Sequence, residues 1–393
     1  MNTPQKTTIV FFAYNQSLIN YVIKDVEKYL NQDFNVIVLH ISNLTRDRSK
    51  ALPNKEYPFR TIDISGYNSI KIKNLLKSIS PKTIIFTTYL AYYDFLLFNI
   101  AKKLKISTIF HDHGLVFGGK SPQRVSFIKW QIIVRFLSFF KNLFFLFLVS
   151  PRVSIIKNFW KFFKQNFNFY SFDAYLIYSS NNLNHYSKIL PINQNTIISG
   201  FPLFADDVEK SRLKNSFRNN KFLFVQQPFR KIDYSTATFD EEINQILELQ
   251  KILSKYNFSL EVRLHPTEKI NDYDLLLKEG VVFNTGNLIE TCSTFKGLIG
   301  QWSTALISAL PLNIPIYIIE FPKVKPEFKF YYNIFQDFGI YIFSMDEFEK
   351  SLLVQLKTHN FTYDQSLVKN FIGEDNTFEK NAKDLTMIIN SFN

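Results

Sequence analysis

Residues 83–114 read TIIFTTYLAYYDFLLFNIAKKLKISTIFHDHG. The opening run Thr83–Thr88, closed by Thr87-Thr88, is long enough for a buried strand and too short for a buried helix. Apolar residues then recur at helical spacing over 92–104, and Lys102-Lys103, with Lys105 just beyond, sit where cations favour a helix C-terminus. A second apolar run, 107–110, follows at once and ends in His111-Asp112-His113-Gly114. Strand, helix and strand in one stretch define a βαβ unit, which predicts two parallel strands in one sheet.

The alternation continues outward. Toward the N-terminus come a strand over 8–13, a helix over 17–30 with Leu18, Ile19, Val22, Ile23, Val26 and Leu30 at helical spacing, a strand over 34–40 and a helix over 70–78. Toward the C-terminus come a strand over 174–178, a helix over 180–189 and a strand over 196–199. A polar and basic stretch, 205–220, reads as a domain linker. Beyond it are a strand over 222–225 ending in Gln226-Gln227-Pro228, a helix over 239–256, and a strand over 260–264 ending in His265-Pro266. Short helices over 273–278 and 288–291 lead to a strand over 297–299 that runs into Gly300-Gln301-Trp302-Ser303-Thr304. A helix over 305–310, a strand over 316–319 followed by Glu320, and a closing helix over 377–391 complete the pattern. The fold class expected is α/β: two Rossmann-like domains, 1–205 and 206–393, with the active site in the cleft between them and the last helix packing back on the first domain.

Composition agrees with this organisation. A chain of 393 residues suits two domains, and 46% apolar residues against 20% charged give both halves a core and argue against disorder. The single cysteine, Cys292, can form no disulfide within the chain, and it reads as a small buried filler in a reducing compartment. The N-terminal run is cut short by Asn15-Gln16, and no stretch of about 18 uncharged apolar residues occurs, so neither a signal peptide nor a membrane span is expected and the chain reads as cytoplasmic. The net charge of +12 is compatible with nucleic acid, anionic lipid or an anionic substrate. Nucleic acid is set aside because the basic residues are spread along the chain and form no recognition motif. Residues 125–172 differ in kind, being rich in Phe, Trp, Lys and Arg with few acids. They read either as long buried helices of the first domain or as a basic–aromatic surface lying on an anionic membrane, peripheral on its inner face.

Four strand-end loops carry polar groups suited to a phosphorylated sugar. In the first, Asp112 or His113 can take a proton from an incoming hydroxyl, while His111 and Gly114 are loop contacts, Gly114 because it admits a tight turn or a close ligand. The plainer reading is a helix-capping turn. The second, Gly200-Phe201-Pro202, offers Gly200 as a contact or is a linker turn. In the third, Arg263 and His265 share a strand face, and Pro266 stops the strand so that His265 stands at its carboxyl end, able to hydrogen-bond or protonate a leaving phosphate. In the fourth, Ser303 and Thr304 either cap a helix or join its N–H groups in cradling phosphate. Gln227 completes the pocket from the neighbouring strand end, and Glu320 either binds ribose hydroxyls or is a solvated strand end. His111 and His113 can chelate, but no third ligand is indicated, so no metal is expected.

Taken together, Asp112-His113-Gly114, Gly200-Phe201-Pro202, Gln227-Pro228, Arg263-Leu264-His265-Pro266 and Ser303-Thr304 resemble, in order and spacing, bacterial surface-polysaccharide glycosyltransferases of the GT-B architecture. The resemblance covers about residues 107–320 and is nearest to sialyltransferases and polysialyltransferases of capsule and lipooligosaccharide assembly, with related capsule and teichoic-acid polymerases behind them. It implies Asp112 as catalytic base, His265 as donor-phosphate contact and acid, Ser303 and Thr304 as phosphate ligands, and no cofactor beyond the donor. The donor implied is CMP-sialic acid or another CMP- or UDP-sugar, and the acceptor is a glycan or glycolipid of capsule or lipopolysaccharide biosynthesis. His113 stands where that family has an acid, which leaves CMP-Kdo, a UDP-sugar and CDP-glycerol open as donors. The alternatives are a CDP-glycerol-type polymerase and a nucleotide-sugar 2-epimerase or hydrolase. The 2-epimerases share a histidine–glycine loop, a Gly-x-Pro motif, a His-Pro motif and a serine-containing helix start.

Overall fold

A computed structural model describes residues 6–44, 57–114, 144–148, 153–164, 166–202, 219–231, 233–265, 268–286, 288–301, 303–307, 309–326, 329, 332, 335–336, 340, 342–357, 363–374 and 377–392. The chain divides into two units: Met1–Val116, Lys120–Leu203 and Phe371–Asn393 in the first, Phe117–Gly119 and Phe204–Asn370 in the second.

The first unit is built on β1 (Thr7–Ala13), β2 (Phe34–His40), β3 (Arg60–Asp63), β4 (Thr83–Phe86), β5 (Ser107–His111), β6 (Ala174–Ile177) and β7 (Thr196–Ile198). They form one parallel sheet in the order β3-β2-β1-β4-β5-β6-β7. Successive side chains of a strand point to opposite faces, so a strand covered on both faces reads as a continuous apolar run. In β1, Val10 and Phe12 enter one core with Ile37, Leu39, Ile84 and Phe86. Ile9, Phe11 and Ala13 enter the other with Val36, Val38, Ile85 and Ile109.

The first of these cores is largely aromatic. Phe95 and Phe98 of helix Tyr92–Leu104 meet Phe162 of helix Val153–Phe163 and then Phe169, Tyr170 and Phe172. The described part of 125–172 therefore supplies core aromatics from one side, while residues 115–143, 149–152 and 165 lie outside the described residues. The second core is closed by the last helix, Phe378–Ser391, which starts on the Thr377 side-chain cap and buries Ala382, Leu385, Ile388 and Ile389.

The second unit is a parallel sheet of β8 (Lys221–Val225), β9 (Ser259–Arg263), β10 (Val282–Phe283), β11 (Gly297–Gly300), β12 (Ile316–Ile319) and β13 (Ile342–Phe343), in the order β10-β9-β8-β11-β12-β13. Helix Phe239–Ser254 begins with a capping box: Thr238 Oγ1 accepts from the Glu241 N–H at 3.2 Å, and Glu241 Oε2 accepts from the Thr238 N–H at 2.9 Å. Its Ile243, Ile246, Leu249 and Leu253 cover Phe222, Phe224 and Val262. Strand order reverses between β1 and β4 in one sheet and between β8 and β11 in the other, and such reversals open crevices at the strands' carboxyl ends. Among the described residues no helix is long and apolar enough to cross a membrane.

Candidate active site

In the second unit β9, β8, β11 and β12 are consecutive in the sheet, and each ends in residues singled out by the sequence. Gln227, after β8, donates from its backbone N–H to Gln301 Oε1 at 3.1 Å and from Nε2 to Ser303 Oγ at 2.9 Å. Both bonds span the reversal from β8 to β11. Ser303 Oγ also accepts from the Ala305 N–H at 3.1 Å, which caps the short helix Thr304–Ile307. On the other flank Gln226 Oε1 accepts from the His265 N–H at 3.3 Å and ties down the loop after β9.

Gln226 is itself oriented from behind. Its Nε2 donates to the buried Glu242 carboxylate and to Gln227 O, which leaves Oε1 facing His265. Glu242 also accepts from Tyr273 OH at 3.0 Å and has Arg230 Nε at 3.6 Å. Burial pushes the Glu242 carboxyl above its usual range, and the bonds from Gln226 and Tyr273 pull it part of the way back. Arg263, the last residue of β9, turns aside: its Nη1 donates to Asn284 Oδ1 at 3.3 Å and to Gly286 O, bracing the loop after β10. Glu320 is exposed beyond β12, its carboxylate 4.0 Å from Lys329 Nζ. Pro266 lies outside the described residues. Gln227, His265 and Ser303 are thus joined through hydrogen bonds, with Glu320 one strand beyond Ser303.

In the first unit the loop after β5 has two distinct halves. Asp112 is completely buried, and five donors meet its carboxylate: the N–H groups of His113 (2.9 Å), Gly114 (3.5 Å) and Tyr178 (3.2 Å), Tyr186 OH (2.9 Å) and Asn182 Nδ2. Burial pushes its pKa up to about 6, against the pull of these donors. A carboxylate so enclosed holds the turn to helix Ser180–Tyr186 in place. His113 and Gly114 are half-buried, and a Cβ added at Gly114 would meet nothing within 4 Å, which leaves room there for a close approach.

His111 and Gly200 have architectural partners. His111 ends β5 wholly buried, with Nδ1 against Asp112 O and Nε2 3.1 Å from Asn381 Oδ1 on the closing helix. Burial pushes its pKa down to about 4, so it is neutral near pH 7. Asn381 Nδ2 continues the chain of bonds to Ser199 Oγ at 2.7 Å. Gly200, at φ +78°, packs on Gly373, where an added Cβ would lie 2.6 Å from Gly200 Cα and closer still to Tyr178 O. From the sequence alone both are expected as ligand contacts. The partners they have tie the sheet to residues 371–392.

Asn182 and Tyr186 are not among the residues the sequence singles out, although their spacing of four on a short helix sets both on one face. Nor is Glu242, hidden among the acids that open helix Phe239–Ser254. Cys292 is buried and free. Among the described residues no three His, Cys, Asp or Glu side chains are grouped to hold a metal ion.

No protein-family model matches the chain, and no curated protein matches it. Solved structures match it along nearly its whole length. The UDP-GlcNAc 2-epimerase from Methanocaldococcus jannaschii is 12% identical over 98% of this chain and 100% of that one, with a TM-score of 0.54. The glycotransferase of kitacinnamycin is 9% identical over 98% and 100%, with a TM-score of 0.53. The wall teichoic acid polymerase TagF is 12% identical over 98% and 88%, with a TM-score of 0.52. Identities this low speak for the fold, and the fold class they define is GT-B, two Rossmann-like units in one chain.

Proposed function

We propose that the chain is a glycosyltransferase that moves a sugar from a nucleotide-activated donor to a cell-surface glycan or glycolipid. The observation that carries this reading is the rim of the second sheet, where His265, Gln227 and Ser303 stand on adjacent strand ends around the strand-order reversal. A departing nucleotide phosphate bound there would meet His265 as donor of a hydrogen bond or a proton, with Ser303 beside it and Thr304 as a further proposed ligand. Fixed donors aimed at charge that develops as the bond breaks supply much of such catalysis. Glu320, one strand beyond Ser303, would take ribose hydroxyls.

On the first unit His113 is the better base. Asp112 is enclosed, and through the His113 N–H it acts as a positioning residue. The acceptor oxygen attacks the anomeric carbon, its proton passes to His113, and the bond to phosphate breaks with the electron pair on the phosphate oxygen. The donor favoured is CMP-sialic acid or another CMP- or UDP-sugar, the pathway is capsule or lipopolysaccharide assembly, and the setting is the cytoplasm at the inner face of the membrane. The reaction runs without a metal, so EDTA should leave its rate unchanged; loss of activity restored by a divalent cation would sink that part.

The deciding measurement is the melting temperature of the purified protein with CMP, CDP, UDP, GDP or ADP. A ligand at about a hundred times its dissociation constant adds about 2.7 kcal/mol of stability. A shift with one nucleotide that disappears in His265→Ala supports the donor site; no shift with any of them overturns it. The second reading, a nucleotide-sugar 2-epimerase, is met by the same rim. It would be favoured if the donor sugar were inverted at C2 with no acceptor present.

A further inference from the structure

We infer that helix Val153–Phe163 docks the protein on an anionic lipid bilayer through a paired stripe of aromatic and lysine side chains. The helix is two-faced. Ile155, Phe159 and Phe162 are buried in the aromatic core of the first unit. On the outer side Ile156, Trp160 and Phe163 recur at i, i+4 and i+7 and are 46%, 55% and 46% exposed. Lys157, Lys161 and Lys164 repeat that spacing one position later, and all three are exposed. A continuous apolar ridge therefore runs beside a continuous cationic one. Trp160 sits edge-on to Phe159 at 6.0 Å and to Phe163 at 5.9 Å, so its indole is propped on the helix. Phe144 and Leu148, on a separate helical stretch, are also exposed.

An outer face with an indole, a phenyl ring and an aliphatic side chain is unsuited to water alone, and contiguous apolar exposure marks an interaction surface. Charge selects the partner. From residue 113 to residue 172 there is no Asp or Glu, while nine Lys and Arg occur, against a net +12 for the whole chain. A second copy of the chain seated symmetrically on this helix would bring the lysine stripe toward its own counterpart. An anionic bilayer instead accepts both ridges, the rings at headgroup depth and the lysine stems reaching back to lipid phosphates. This inference deepens the membrane setting proposed above and is independent of the donor site.

The test is co-sedimentation of the full-length protein with vesicles of phosphatidylcholine alone and of phosphatidylcholine mixed equally with phosphatidylglycerol. Binding to the mixed vesicles and its decline as salt rises are expected, with little binding to the neutral ones. Replacing all three lysines (Lys157→Gln, Lys161→Gln, Lys164→Gln) should weaken binding about a hundredfold, given the attraction each cation contributes near an anionic surface. Trp160→Ser should weaken it at least tenfold and remove the blue shift of tryptophan fluorescence that vesicles cause. All four positions are exposed, so the variants should keep the wild-type melting temperature and nucleotide response, which separates this outcome from failure of the donor site. Wild-type affinity in both variants, equal binding to neutral vesicles, no vesicle binding at all, or a dimer that Trp160→Ser dissociates would each overturn the inference.

Discussion

Gln227 and Ser303 are bonded to each other across the strand-order reversal of the second sheet, Nε2 to Oγ at 2.9 Å. If both contact the donor, each also holds the other in position. Gln227→Ala and Ser303→Ala should each weaken nucleotide binding about fivefold to tenfold, near 1 kcal/mol, as expected for one hydrogen bond. The double variant should lose less than the sum, because each single change already breaks the shared bond. Calorimetric titration with the stabilising nucleotide measures this; full additivity would mean the pair does not act as a unit.

Asp112 and His113 are neighbours with opposite expected phenotypes. Asp112→Ala removes the acceptor for five donors around a fully buried carboxylate, and such losses cost about 4 kcal/mol or more. The variant should melt far below the wild type or fail to fold. His113→Ala should keep the melting temperature within a few degrees and slow transfer by about a hundredfold or more, as expected for loss of a general base. A stable, fully active His113→Ala protein would remove His113 from the reaction.

His111 and Asp112 give opposed pH dependences. Burial lowers the His111 pKa from 6.5 to about 4, so the unfolded chain takes up this proton first, and the stability this confers is complete above pH 6.5 and lost as pH falls toward 4. Burial raises the Asp112 pKa from 3.8 to about 6, so its contribution is complete below 3.8 and lost as pH rises through 6. Each is worth about 3 kcal/mol at 1.36 kcal/mol per pH unit. The two largely offset between pH 4 and 6. His111→Asn removes one of them, so its stability relative to wild type should rise by about 3 kcal/mol from pH 6.5 to 4 in urea titrations. A pH-independent difference would show that His111 titrates normally.

Gly373 is closely packed, at φ +84° with Gly200 Cα 2.6 Å from where a Cβ would lie. Gly373→Ala should cost about 3 kcal/mol or more, since backbone must shift and the left-handed conformation disfavours alanine. Thermal melting reads this directly. Gly114→Ala, with nothing within 4 Å of its added Cβ, should be tolerated by the fold.

Much of this architecture was legible in the sequence where burial on both faces writes a continuous apolar run. Phe34–His40, Tyr92–Leu104 and Ile316–Ile319 have the bounds read from sequence, and most other elements differ by a residue or two at an end. The strands missed were β3, β10 and β13, each an edge strand of its sheet. β3, Arg-Thr-Ile-Asp, is half exposed, and β10 and β13 have two residues each, so none carries a period to read. Helices Met345–Lys357 and Gln365–Ile372 were also missed.

At the candidate site, sequence located the strand ends but not the orientation of side chains on them. Arg263 and His265 are two residues apart, a spacing that predicts one shared strand face. Arg263 reaches Asn284 instead, because a loop 21 positions downstream supplies its acceptors. Likewise nothing local distinguishes His111, clasped by Asn381 from 270 positions away, from His113 two residues on.

That clasp bears on how the protein is made. The ribosome delivers β1 long before helix Phe378–Ser391, yet both belong to the same unit. Leu385, Ile388 and Ile389 at about 2 kcal/mol each bring some 6 kcal/mol of burial, a sum comparable to the whole net stability of many domains. Until they arrive, Ile9, Phe11, Val38, Ile109 and Leu176 lack part of their cover. The unit that is translated first is therefore finished last, after the second has emerged whole. During that interval the nascent chain carries an apolar sheet face in need of shielding, and a fragment ending near residue 203 would carry it permanently.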